Sequence, residues 1–120
     1  MSTLKVGIAT PDEMKARSLA IARGETRAAA DDPKVWFKSP ESFAKVLSNK
    51  NRALLEFIAA THPESLQEIA EKTGRKASNL SRTLRTMEQY GFVRLHRGPR
   101  GQVRPEVPYS QITLVLPLAT

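Results

Sequence analysis

Cysteine is absent from the chain, which excludes disulfide bonds, thiolate chemistry and cysteine-ligated zinc. Histidine is scarce: the chain has two, His62 and His96, and neither has a carboxylate at the spacing of a metal site. Long apolar runs are also missing, since no stretch approaches the length that crosses a bilayer. The first residues lack the apolar core of a signal peptide, so we expect a cytoplasmic protein.

The motifs of common enzyme classes are missing as well. The sequence has neither a glycine-rich phosphate loop nor a G-x-S-x-G nucleophile turn. Its adjacent acids, Asp12 with Glu13 and Asp31 with Asp32, suit helix starts and solvated loops better than acid–base catalysis. We therefore expect no catalytic residues, no cofactor and no metal.

Positive charge is concentrated in one segment of the 120 residues, whose formal net charge is +7. Residues 72–104 contain nine basic residues and one acidic residue, Glu88, so this segment carries +8 and the remainder of the chain −1. Localised charge of this kind predicts a polyanionic partner. An acidic protein or an anionic lipid would also satisfy the charge, but neither requires the pair of helices that the same segment predicts.

Residues 65–90 have the pattern of two short helices joined by a tight turn. Ser65 and Glu68 have the spacing of a capping box, in which each side chain accepts from a backbone N–H of the first turn. Gly74 is the left-handed residue at which helices commonly end. Beyond the turn, apolar residues recur every three to four positions, at Leu80, Leu84 and Met87. This is a helix-turn-helix pattern, in which the second helix enters the DNA major groove.

The second helix has a polar and basic side opposite its apolar stripe. Five side chains lie on or near that surface: Ser78, Asn79, Ser81, Arg82 and Arg85. Arginine pairs with guanine and asparagine with adenine through two hydrogen bonds each, and serine reaches bases or phosphates. A basic solvated face that binds nothing is the competing interpretation of these residues alone.

A β-hairpin is predicted directly after the second helix. Gly91 ends that helix, and the apolar residues that follow begin a strand: Phe92, Val93 and Leu95. Residues 98–101 (GPRG) have the pattern of a type I turn, and the chain returns through residues 102–104. Arg97 and Arg100 would lie at the tip, where the wing of a winged helix reaches phosphates or an adjacent minor groove.

The N-terminal segment predicts a strand followed by a helix. The strand is indicated by alternation of three apolar residues, Leu4, Val6 and Ile8. Thr10 and Glu13 have capping-box spacing with Pro11 at the first helical position, which predicts a helix to about Arg23. Residues 24–32 read as a linker or a frayed helix end.

The middle of the chain predicts most of the core. Residues 35–37 (VWF) form a strand or an apolar plug, and a helix opens at Ser39 and Pro40. Ser48 can cap the next helix, which ends near Thr61 because His62 precedes Pro63. That helix has the densest apolar cluster, Leu54, Leu55, Phe57 and Ile58.

A closing strand is predicted by alternating leucine and isoleucine at Ile112, Leu114, Leu116 and Leu118. This strand and the N-terminal strand each need a partner. They could pair with each other within one chain or across a two-fold axis.

These elements predict an α+β fold that is mainly α. We expect residues 33–120 to form a winged helix-turn-helix domain with a closing strand. Residues 1–32 would be an N-terminal extension, a strand plus a helix, that serves dimerisation or partner binding.

Residues 35–118 resemble the MarR-like winged-helix DNA-binding proteins of bacteria and archaea, including antitoxin-like transcriptional regulators. Four pieces carry the resemblance: residues 43–47 (FAKVL) leading into 52–55 (RALL), residues 65–70 (SLQEIA), Gly74 and Arg75 leading to 79–84 (NLSRTL), and residues 107–109 (VPY) followed by Ile112. The last piece is the most distinctive, because helix-turn-helix and wing patterns occur in very many regulators.

The resemblance implies a dimeric repressor that binds double-stranded DNA, with the helix at 77–90 in the major groove and a wing at 92–104. The residues implied for DNA contact are Lys76, Ser78, Asn79, Ser81, Arg82, Arg85, Arg97 and Arg100. An alternative function is that of an antitoxin, which binds a toxin or other protein through the N-terminal region while DNA binding is secondary. RNA is less favoured, because the basic segment lacks the exposed aromatics that stack on single-stranded bases.

Overall fold

The structure, a computed structural model, describes residues 2–29 and 32–118. The described residues form five helices and five strands, which makes the architecture α+β. The chain divides into two compact units. The first contains Met1–Lys45 and Gln111–Thr120, and the second is Val46–Ser110.

The first unit is built on a three-stranded parallel sheet. Its strands are β1 (Thr3–Ile8), β2 (Val35–Phe37) and β5 (Gln111–Val115), with β1 in the centre. Val6 is paired with Val35 on one side and with Leu114 on the other. The predicted N-terminal and closing strands therefore pair with each other within one chain, which decides between the two pairings that the sequence left open.

Helix α1 (Pro11–Ala22) connects β1 to β2, as parallel neighbours require a crossover. The predicted capping box is present: Thr10 Oγ1 accepts from the Glu13 N–H, and Glu13 Oε1 accepts from the Thr10 N–H. The helix ends one residue before the predicted Arg23. None of its residues is buried, in keeping with the absence of a clear apolar stripe.

The core of the first unit lies around β1. Leu4, Val6 and Ile8 are buried, and Phe37 of β2 lies with its ring 5.4 Å from that of Phe43 in helix α2 (Pro40–Val46). The short apolar run at 35–37 is thus a strand rather than only a plug.

The second unit contains three helices and an antiparallel hairpin. The helices are α3 (Asn49–Thr61), α4 (Leu66–Thr73) and α5 (Ala77–Gln89), and the hairpin strands are β3 (Arg94–Arg97) and β4 (Val103–Glu106). The helices and the residues just before β3 form most of the apolar core, and β4 adds the buried Pro105. The other buried side chains are Leu54, Leu55, Ile58, Pro63, Ile69, Leu80, Leu84, Met87, Phe92 and Val93.

Local signals account for the helix ends of the second unit. Ser48 Oγ accepts from the Asn51 N–H at the start of α3, and α3 ends at His62, whose φ of 49° is left-handed. Ser65 caps α4 and Gly74, with φ of 75°, ends it. The predicted capping box of α4 is only half formed, because the Glu68 carboxylate accepts from the Glu64 N–H.

The boundaries of three predicted features differ in the structure. Strand β3 starts at Arg94, because its pairing with β4 begins there, and the buried Phe92 and Val93 lie before it. Strand β5 ends at Val115, and Leu116 beyond it is exposed. The units divide at 45/46 and 110/111 rather than at 32/33, because β2 and β5 are hydrogen-bonded to β1.

Candidate nucleic-acid interface

Helix α5 has one buried face and one solvent face. Leu80, Leu84 and Met87 have no exposed surface, and this burial fixes the rotation of the helix about its axis. The five polar and basic side chains predicted for the opposite side are on or near the surface. Ser78, Asn79, Arg82 and Arg85 are exposed, and Ser81 is half-buried.

Most of these side chains line one shallow open groove along α5. The lining residues are Ser78, Ser81, Arg82, Arg85, Thr86 and Gln89. Arg85 Nη2 donates to Ser81 Oγ at 3.2 Å, so the arginine lies along the helix. Thr86 and Gln89 were missed by the sequence analysis, although their i+4 spacing from Arg82 and Arg85 indicates the same face.

Asn79 lies beside this groove rather than in its lining. Its Oδ1 accepts from Thr83 Oγ1 at 3.3 Å and lies 3.5 Å from Arg75 Nη2. A bidentate contact with adenine uses both the oxygen and the nitrogen of the amide. To pair with a base in this way, Asn79 would have to give up its contacts with Thr83 and Arg75.

Arg75, in the turn between α4 and α5, was assigned no role from the sequence. Its Nη2 lies 3.5 Å from Oδ1 of Asn51 in α3, at the long limit of a hydrogen bond. Asn51 is itself fixed, since its Nδ2 donates to the Val46 carbonyl oxygen at 2.9 Å. Nε and Nη1 of Arg75 are buried and find no acceptor among the described residues. Arg75 thus places a positive charge between α3 and the first turn of α5, and both Nη2 contacts, with Asn51 and Asn79, are at the long limit of a hydrogen bond.

The first turn of α5 is electropositive. Lys76 is its N-cap and makes no side-chain cap hydrogen bond, and the turn contains no acidic residue. Unpaired N–H groups and the helix dipole favour an anion at such a terminus. By contrast, α1, α3 and α4 all have a serine or threonine cap.

The hairpin follows α5, and its turn lies at the residues that the sequence predicts. His96 is paired with Arg104, and residues 98–101 form the turn, closed by the Gly101 N–H on the Gly98 carbonyl oxygen at 3.1 Å. Gly101 has φ of 80°, the left-handed conformation that favours glycine. Arg100 is exposed at the tip, as expected.

Arg97 lies at the end of β3, with its Nη1 3.8 Å from Glu88 Oε2 on α5. Its charge is therefore partly offset by the single acid in the basic segment. Leu95 and Pro105 are paired and form the inner face of the hairpin, which leaves two exposed arginines on the outer face. These are Arg94 and Arg104, and strand alternation could have identified both.

Glu106 also lies on the outer face, two residues beyond the basic segment. His96 Nε2 is 2.9 Å from Glu106 Oε1. The hydrogen bond to His96, with the nearby charges of His96, Arg94 and Arg104, lowers the pKa of Glu106. The carboxylate is thus held ionised and offsets part of the positive charge of the hairpin.

The described residues include no group of three or more His, Asp or Glu side chains that could hold a metal ion. Within residues 2–29 and 32–118, no helix is both long and apolar enough to cross a membrane.

The model of the HVO_A0114 family matches residues 46–114, which include the whole second unit and most of β5. No curated protein and no solved structure matches the chain.

Proposed function

The chain belongs to the HVO_A0114 family, and we propose that it is a sequence-specific, double-stranded DNA-binding regulator of transcription that acts as a dimer. In this proposal α4, the turn and α5 are a helix-turn-helix, and the β3–β4 hairpin is its wing. Helix α5 lies in the major groove.

The observation that carries the proposal is the two-sided character of α5 within the basic segment. Burial of Leu80, Leu84 and Met87 fixes one side, so Arg82 and Arg85 are both directed to solvent along one groove. The surrounding segment carries a formal +8. A regular helix that presents arginine, serine and glutamine from one face matches the chemistry of base edges in the major groove.

The proposal distinguishes two kinds of contact. Arg82 and Arg85 would pair with guanine and give sequence preference. Lys76 at the helix start and Arg100 at the hairpin tip would contact phosphates, which fix the orientation of the protein and carry no sequence information. Binding of the second kind weakens steeply with salt, because phosphate neutralisation releases counterions.

The test is fluorescence-anisotropy binding to the DNA upstream of the chain's own gene, against scrambled DNA of equal length, at two salt concentrations. A specific regulator is expected to prefer its site by about 10³ or more. Equal affinity for both DNAs at both salt concentrations would contradict autoregulation through this site.

Single substitutions separate the two kinds of contact. Arg82→Ala or Arg85→Ala is expected to cost about 1–3 kcal/mol on the specific site and much less on scrambled DNA. Arg100→Ala should weaken both DNAs alike and reduce the salt dependence. Arg27→Ala removes the same charge from an exposed position in the first unit and serves as the matched control. Unchanged DNA affinity in all three arginine variants of the basic segment would refute DNA contact through this face of α5 and the hairpin tip.

A further inference from the structure

Strand β5 is an outer strand of the three-stranded sheet. It pairs with β1 on one edge, and no strand of the described chain lies along its other edge. An outer strand presents a row of unpaired backbone N–H and C=O groups that can pair with another strand. The backbone groups of β5 that point away from β1 therefore offer hydrogen bonds to a partner.

The two outer strands of this sheet differ in how they are protected. Strand β2 has three residues and is flanked by Lys34 and Lys38, a short and charged edge of the kind that opposes association. Strand β5 has five residues, Gln111–Val115, and none is charged. Charge is one of the devices by which natural proteins protect an unpaired outer strand, and proline is another. Strand β5 has no charge, and Pro117 lies only beyond its end, so its edge is the less protected of the two.

Exposed apolar side chains cluster at the same edge. Four large apolar side chains are exposed among the described residues, and three of them are Leu114, Leu116 and Leu118, in β5 or just beyond it. Leu114 is paired with Val6 and so lies on the buried face of the sheet, yet it is 40% exposed. The apolar face of the sheet thus continues to an edge where it meets solvent.

We propose that this edge pairs with β5 of a second copy of the chain. A two-fold axis perpendicular to the sheet would join the two strands antiparallel and extend the sheet to six strands. The proposal deepens the proposed function, because it rests on the dimeric state given there and names the interface.

The distribution of charge favours a second copy as the partner. In a two-fold interface each surface meets itself, so charges there come close to like charges. The chain has a net charge of +7 and 26% charged residues, yet residues 107–118 contain none. An uncharged edge is thus what self-pairing of a strongly basic chain requires, whereas an acidic partner protein would be better held by the basic segment.

The first experiment measures the mass of the full chain by sedimentation equilibrium over a range of concentrations, without DNA. Leu114→Lys and Leu114→Glu are each expected to raise the dimer dissociation constant by at least about tenfold, because each brings like charges together. An equimolar mixture of the two variants is expected to recover dimers, since the charges are then opposite. Leu19→Lys on α1 is the matched control, because Leu19 is 43% exposed and lies outside the edge.

The second experiment uses the absence of cysteine from the chain. A single cysteine is introduced by Ile112→Cys, Thr113→Cys or Leu114→Cys, and each variant is oxidised at a concentration where dimers form. Residues directly opposite in an antiparallel pair have Cβ atoms about 4.5–5.5 Å apart, close enough for a disulfide after small shifts. At least one variant is expected to cross-link, and Ser18→Cys on α1 is not.

Three results would overturn the interface: a monomer at every concentration, a dimer that neither charged variant weakens, or no cross-link at any position in β5. The first would also refute the dimeric state in the proposed function, while DNA recognition would remain to be judged from sequence preference. The second would leave a dimer with another interface. These failures are distinct from failure of DNA recognition, which would appear as loss of sequence preference in a chain that still dimerises through β5.

Discussion

Replacing Gly7 with alanine tests the packing of the first unit. A Cβ at this position would lie 2.6 Å from Cζ3 and 2.7 Å from Cε3 of the Trp36 ring, and 3.0 Å from Cγ of Pro33. Carbon atoms prefer separations of about 3.5–4.0 Å, so the ring must move by about 1 Å. Backbone strain does not contribute, because Gly7 is not among the glycines with positive φ.

The displaced ring would disturb its other contact. The Arg17 guanidinium lies 5.4 Å from the centre of the Trp36 ring, and its Nη2 is 2.7 Å from Asp32 Oδ2. Overpacking of this kind costs about 1–3 kcal/mol, and a partly exposed cation–π contact contributes about 0.5–1 kcal/mol. We therefore expect Gly7→Ala to lower the free energy of unfolding of the first unit by about 1–3 kcal/mol.

The assay follows from the composition. Trp36 is the only tryptophan, so tryptophan fluorescence during urea unfolding reports this unit. A second measurement, hydrogen exchange of the β1 amides, compares Gly7→Ala in the native chain and in a Trp36→Leu background. The loss of unfolding free energy caused by Gly7→Ala should be at least halved in the Trp36→Leu background, where the large ring is absent. A neutral Gly7→Ala, or an equal cost in both backgrounds, would refute this account of the packing.

Two further predictions concern polar groups. Arg75→Met removes two buried guanidinium nitrogens that have no acceptor among the described residues. The free energy of unfolding, measured by thermal unfolding, should therefore be unchanged or rise by about 1 kcal/mol. A decrease of more than about 2 kcal/mol would mean that Arg75 stabilises the turn. Acid should destabilise the chain, because backbone N–H groups lower the pKa values of Glu13 and Glu68 from 4.5. A carboxylate whose pKa is lower in the folded than in the unfolded state stabilises the fold above its unfolded pKa. This stabilisation is lost as the pH falls through the folded pKa. The urea concentration at the unfolding midpoint should therefore decrease as the pH is lowered below 4.5. Glu68→Gln should make this decrease smaller. An unchanged pH dependence in the variant would contradict the role given to Glu68.

The helices and turns of this protein are encoded locally. Thr10, Ser48, Ser65 and Gly74 act on backbone groups within a few residues, so the sequence predicts where the helices begin and end. The rotation of α5 was equally predictable, since the apolar spacing that directs Leu84 inward directs Arg82 and Arg85 outward. The predicted residues at the basic face therefore lie on or near the surface.

Contacts between distant parts of the chain were not predictable in this way. Arg75 reaches Asn51, 24 residues earlier, through a side-chain geometry that leaves no periodic signal. The Arg97 contact with Glu88 depends on where the hairpin lies against α5. Both contacts change which charges are available at the candidate interface.

The sequence by itself determined the helix limits, the hairpin turn, the two faces of α5 and the concentration of positive charge, because each depends on neighbours within one or two turns. Tertiary structure decided the parallel order β2-β1-β5 and the division into two units. A strand's alternation shows that it needs a partner but carries no information about which one. The partner of β1 is a strand more than 100 residues later in the chain, where Thr3 is paired with Gln111. This pairing uses one edge of β5, and no strand of the described chain lies along the other edge.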